Sequence, residues 1–212
     1  MQELTLNLFD QMADVQVKDF CATFEKRNRE MSDAKDLMQK TIRDIRRRGW
    51  KTHATIWNAC SYLNTVAMDV SRHVYDLAFE RDDWRRRMAA RHLIITAYES
   101  SQGLIQQFGG SFRRSSKLLN VPDDLMQDIN KGHQLVAAFE KNNHQFLKER
   151  RVTIAAHLKP DSVELNSGIE EIDLFDLLQR GLSFGILLND FGGQTQKVLA
   201  FISSVQPPEI VT

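Results

Sequence analysis

Residues 122–158 read PDDLMQDINKGHQLVAAFEKNNHQFLKERRVTIAAHL, and this stretch decides the fold class. Pro122 followed by Asp123 and Asp124 is a helix start, because proline fits the first turn and carboxylates favour the positive end of the helix dipole. Beyond it, Leu125, Ile129, Gly132, Val136, Phe139, Asn143, Phe146, Arg150 and His157 follow one another mostly at steps of three and four. That spacing places them along one seam of a helix running to about Leu158 and ending before Pro160.

The same period continues on both sides. From Asp14 to Arg48 there is neither proline nor glycine, and Val17, Phe20, Phe24, Met31, Met38, Ile42 and Ile45 share a face, with Gly49 as the stop. Thr52 to Phe79 repeats the pattern, and Asp82 to Phe108 repeats it again before Gly109-Gly110. Ser111 to Asn120 reads as a basic connector with room for a short helix. After the polar loop 161–168, Glu170 to Leu188 is helical in spacing. A last helix follows Gly192-Gly193 and runs to about Ser204. Leu4, Leu6 and Leu8 alternate, so residues 1–12 read as an extended arm, although Leu4, Leu8 and Met12 also suit a helix; residues 205–212 read as a tail. The expectation is an all-α helical bundle of five to six helices, one domain over residues 1–212.

Composition narrows the class. Of 212 residues 42% are hydrophobic and 28 cations balance 28 carboxylates, which excludes a mainly disordered chain. Ten glycines and four prolines exclude a collagen-like one. Zero net charge gives no global pull toward nucleic acid or an anionic membrane, yet the cations are clustered. Arg43, Arg46, Arg47, Arg48 and Lys51 form one cluster, Arg81, Arg85, Arg86, Arg87 and Arg91 a second, and Arg113, Arg114 and Lys117 a third. Each reads most simply as a solvated helix face. Cys21 and Cys60 form no CxxC pair, no apolar run reaches the ~20 residues of a bilayer span, and the opening MQELTLNLFDQ lacks the basic start of a secretion signal. A cytoplasmic protein with reduced thiols and no membrane association is expected.

Motifs for phosphate loops, zinc proteases and serine hydrolases are missing from the chain. Asp69, His73, Asp76 and Glu80 line one helix face, and Glu140 and His144 sit four apart; both read as polar surface rather than metal ligands. Trp50, Trp57 and Trp84 read as packing anchors. No cofactor and no metal are therefore expected.

What remains is a polar line on the long helix. Asn143, Arg150 and His157 are seven apart, which keeps successive members within ~20° about the axis and ~10 Å along it. An unpaired buried polar group costs about 1–3 kcal/mol, so such a line should face a wet cleft or a second subunit. This predicts a homodimer. Arg150-x6-His157, or Arg151-x5-His157, with Ala155-Ala156 before the histidine and Asp161 after it, resembles the Arg-x4–6-His motif of the HEPN superfamily of helical bundles. The likeness covers about Leu135 to Leu188. The same spacing recurs at Arg47–His53 and Arg86–His92, so position on a late helix sets this instance apart. The family places Asn, Asp or His after the arginine, where this chain has Arg151 or Val152.

The resemblance implies metal-independent RNA cleavage at a dimer cleft, as in toxin and defence proteins. Arg150 or Arg151 would hold the phosphate and His157 would move the proton, with Asn143 as a polar neighbour. The alternative is a non-catalytic helical interaction or scaffold protein of uncharacterised role, with RNA or a protein as its candidate partner.

Overall fold

In the computed structural model, which describes residues 14–155 and 170–205, six helices take up nearly all of the described chain. They are α1 (Asp14–Arg47), α2 (Lys51–Phe79), α3 (Asp83–Gln107), α4 (Gly110–Leu118), α5 (Asp123–Ala155) and α6 (Leu174–Ser204). No strand occurs among the described residues, so the all-α bundle is shown. No helix among them is long and apolar enough to cross a membrane.

Local sequence sets the helix ends. Gly49 takes φ 75° after α1, and the amides of Gly49 and Trp50 return to the carbonyls of Arg46 and Ile45. Asn120 does the same after α4 at φ 52°, a left-handed position that asparagine tolerates better than most residues. Asp82 caps α3 by accepting from the Arg85 amide, and Asp173 caps α6 by accepting from the amides of Phe175 and Asp176.

Packing then orders the helices. Helices α2, α3, α5 and α6 form a ring in which neighbours run antiparallel, as paired contacts show. Asn58 meets Gln107 and His73 meets His92 across α2–α3. Asn143 meets Arg180, and Phe139 stacks on Phe184 at 4.2 Å, across α5–α6. The fully buried side chains inside this ring include Ile56, Leu63, Leu93, Ile94, Phe108, Phe184, Leu188 and Phe191. Helix α1 lies outside the ring along α2, and the short α4 packs mainly on α2. Its Phe112, Ser115 and Ser116 are buried while Arg113, Arg114 and Lys117 stay exposed.

Two expectations are corrected. Gly192-Gly193 does not separate two helices: α6 runs unbroken through both. Each glycine costs a helix about 1 kcal/mol against alanine, but Phe191 on Phe108 (4.6 Å) and the buried Val198, Leu199 and Ile202 anchor both sides of the pair. Trp84 is no packing anchor; it is 52% exposed on the first turn of α3. The arm expected over 1–12 and the tail after Val205 lie outside the described residues.

The bundle thus has two ends. One gathers the close of α2, the start of α3, the last turns of α5 and the start of α6. The other gathers the α1–α2 turn, the close of α3, and α4.

Candidate functional site

Asn143, Arg150 and Arg151, the described residues among those singled out by the sequence, lie toward the first of these ends. Asn143 is buried on α5, its Nδ2 donating to the Phe139 carbonyl at 2.8 Å. Its Oδ1 accepts from Arg180 Nη1 at 2.6 Å, and Arg180 Nε is bonded to Asp176 Oδ2 at 2.8 Å. The Arg180 guanidinium also lies 4.4 Å from the centre of the Phe146 ring. The polar line was expected to face a cleft or a second subunit, and at Asn143 it does neither. A partner from α6 of the same chain satisfies the amide, which removes the cost that motivated the expectation.

Arg151 is likewise engaged. It turns to α3, where Nη2 sits 2.9 Å from Glu99 Oε1 and the guanidinium lies 5.2 Å from the Tyr98 ring centre. Arg150 is half-buried and has no ion pair among the described residues. His157 lies outside the described residues, so the structure brings together Asn143 and Arg180, and Arg151 and Glu99, without placing the proposed proton-transfer group.

Reading the sequence missed Arg180, Asp176, Tyr98 and Glu99 as the partners of this region. Asp176 and Arg180 carried a signal, since carboxylate and arginine four apart on a helix face pair with one another. Nothing in the spacing pointed from Arg180 to Asn143, 37 positions earlier.

The other candidates resolve into structural contacts. Asp76 pairs with Arg72 at 3.0 Å rather than with His73. Glu80 accepts from the amides of Arg81 and Asp82, which closes the α2–α3 turn. His73 lies 5.5 Å from His92, and burial first, then the neighbouring His92, pulls its pKa below the usual histidine value. Glu140 and His144 are bonded at 2.6 Å beside Tyr98. Among the described residues no group of three or more His, Cys, Asp or Glu is placed to hold a metal ion. The Cys60 thiol is pushed up to about 12 by burial, with a Thr195 contact acting the other way, so it is not a nucleophile at neutral pH. Cys21 accepts from the Tyr75 hydroxyl at 3.0 Å, a bond that helps push Tyr75 up to about 12.

A larger concavity lies elsewhere, between α1 and α6 over a floor of α2. It measures about 690 Å³ and is lined by side chains such as Met31, Leu63, Asn64 and Asn189. Arg27 donates to Asn189 across it, linking α1 to α6. An apolar groove of about 260 Å³ continues beyond this strut, between Phe24, Val74, Phe79 and Leu182. Among the described residues, neither half is lined by a histidine, and Cys60 is the one thiol there, held protonated by burial.

The second end of the bundle is basic. Six cations and one carboxylate occupy residues 40–51. Arg46 donates to Asn58 Oδ1 and Asn58 donates to Gln107 Oε1, both at 3.3 Å, so a polar line runs from the end of α1 to the end of α3. Helix α4, with Arg113, Arg114 and Lys117, begins three residues later. Comparison of the chain with family models, with curated proteins and with solved structures gives no match, so the functional reading rests on this geometry.

Proposed function

We propose that this chain is a non-catalytic helical interaction protein, one that binds a partner rather than converting a substrate. The observation that carries the reading is the engagement of Asn143 by Arg180 and Phe139, with Arg151 held by Glu99 and Tyr98. Two of the three described residues of the candidate site are thus tied into helix packing. A phosphate-binding arginine must offer its fork to the substrate, whereas Arg151 commits Nη2 to Glu99 and lies against the Tyr98 ring. We place the protein in the cytoplasm, a setting that suits the free thiols of Cys21 and Cys60.

A second reading keeps one observation on its side. Arg150 has no ion pair among the described residues, and it is the arginine of the Arg150-x6-His157 motif that resembles the HEPN superfamily. In that reading two copies meet through the outward face of α5, where Leu135 and Val152 are 55% and 60% exposed, and the homodimer cuts RNA without metal.

One experiment separates the two. Purified protein is incubated with a set of single-stranded RNAs in EDTA between about pH 5 and 8, the range in which histidine titrates, beside a variant carrying Arg150→Ala and His157→Ala. The interaction reading expects equal, background cleavage from both. Cleavage by the parent that the variant lacks, with an unchanged melting temperature, establishes the ribonuclease instead. Light scattering in the same buffer reports whether the dimer exists.

A further inference from the structure

The three arginine clusters look alike in the sequence, but their surroundings differ. In the second cluster, Arg86 donates to the Glu80 carbonyl at 3.1 Å, and Arg87 reaches Asp83 and the Glu170 carbonyl, each at 2.8 Å. The first and third clusters lie toward the opposite end of the bundle, where the nearby carboxylates are few: Asp44 within the first cluster and Asp123, which lines a hollow with Arg113 and Lys117. Of Arg43, Arg46, Arg47, Arg48, Lys51, Arg113, Arg114 and Lys117, only Arg47 meets one among the described residues, Asp44 at 3.6 Å. All eight are exposed. Arg46 and Arg47 also complement the negative end of the α1 dipole. Lys117 does the same for α4, and Arg113 reaches His133 at 3.4 Å, which leaves Arg48, Lys51 and Arg114 without such a role. Eight like charges gathered on one end of a neutral molecule repel one another, and a polyanion relieves that repulsion.

We propose that this end is a docking surface for single-stranded nucleic acid, which names the partner of the interaction protein inferred above and rests on that reading. Six of the eight cations are arginines, whose planar forks match phosphodiester oxygens. Between the α1–α2 turn and the end of α3 lies a hollow of about 450 Å³, lined by Arg46, Lys51, Asn58 and Gln107 among others. It is a recess that admits an unstacked base beside the Asn58–Gln107 amide pair, and a duplex offers no such base. At its rim the Arg48 guanidinium lies over Trp50 at 5.1 Å, a planar cation on which a further base stacks. An anionic membrane fits less well. Membrane-surface helices insert an apolar face, whereas α4 turns Phe112, Ser115 and Ser116 into the bundle and leaves Leu118 as its one exposed large apolar side chain.

The test is fluorescence anisotropy of labelled oligouridine and oligo(dT) of about twenty residues with the full chain, between about 50 and 200 mM salt, where phosphate contacts give the steepest dependence. Binding is expected for both oligonucleotides. If about four phosphates are neutralised, the logarithm of affinity should fall against the logarithm of salt with a slope near −3. Arg47→Glu/Arg48→Glu and, separately, Arg114→Glu/Lys117→Glu should each weaken binding at least tenfold, and Arg81→Glu/Arg85→Glu at the other end less than twofold. Circular dichroism melting confirms that each variant is folded; if a charge reversal unfolds the chain, Arg48→Gln/Lys51→Gln replaces it. The proposal is overturned by no binding at low salt, by equal losses at both ends, by preference for duplex DNA, or by binding to phosphatidylserine vesicles without binding to oligonucleotides. RNA cleavage in this assay would overturn the non-catalytic reading alone, because Arg150 and Arg151 of the cleavage motif lie toward the end opposite this surface.

Discussion

The two ends of the bundle use arginine in opposite ways. Where α5 closes and α6 opens, Arg151 reaches Glu99 on α3, Arg180 reaches Asn143 on α5, and Arg86 and Arg87 reach the carbonyls of Glu80 and Glu170, so each joins one segment to another. Where α1 turns into α2, the guanidiniums point outward and meet amides, an indole, solvent or, for Arg47, Asp44 one turn back on the same helix. The lesson is that an arginine-rich stretch has no fixed meaning. Whether it stabilises the chain or recognises a partner depends on whether folding brings it an acceptor. A truncation should therefore cost stability at the first end and little at the second.

The largest effect is expected for Arg180→Ala. It leaves Asn143 Oδ1 buried without its donor and strips the guanidinium from Asp176 and Phe146. A loss of about 2–3 kcal/mol follows, read as a fall of several degrees in melting temperature. A fall within error would show that Asn143 is solvated after all and reopen the cleft it was expected to face. Gly132→Ala probes the same α5–α6 seam from its middle, where a Cβ would run into the ring of Phe191 and the Gln194 amide. About 1–3 kcal/mol of overpacking cost is expected in urea unfolding. Arg151→Ala should cost about 1 kcal/mol, because its pair with Glu99 is partly exposed while the Tyr98 ring adds a cation–π contact.

Acidification adds a test that reaches both ends. Burial lowers the pKa of His53 at the basic end, and burial with His92 lowers that of His73 nearer the other. The unfolded chain takes up protons near pH 6.5 while these folded histidines resist them, so stability is full above that value and is lost as pH falls below it. The urea midpoint should drop from pH 7.5 to 5, and His53→Gln should flatten the drop; an unaltered slope would remove His53 from this account. The smallest effect belongs to Arg47→Ala/Arg48→Ala, expected to change stability by no more than about 0.5 kcal/mol. A larger cost would erase the contrast between the ends.

Much of the fold was legible in one dimension because helices are local. A face of Val17, Phe24, Met31, Met38 and Ile45 requires only the 3.6-residue period, and Gly49, Asp82 and Pro122 mark ends through short-range geometry. The misreading at Gly192-Gly193 has the same origin. Local propensity argued for a break, and buried contacts made by Phe191 and Val198 overrode it.

The candidate site was much less legible. The seven-residue spacing of Asn143 and Arg150 correctly placed both on one helix, but which neighbour occupies that face is decided by a chain segment some thirty positions away. Likewise, the clusters around Arg47 and Arg114 are separated by more than sixty residues and read separately as solvated surface. Folding sets α4 against α2 and joins them into one basic end. Spacing along a helix is dictated by the backbone repeat and is written in the sequence. Proximity between helices depends on how apolar faces bury one another, and the charges are carried to their neighbours by that packing.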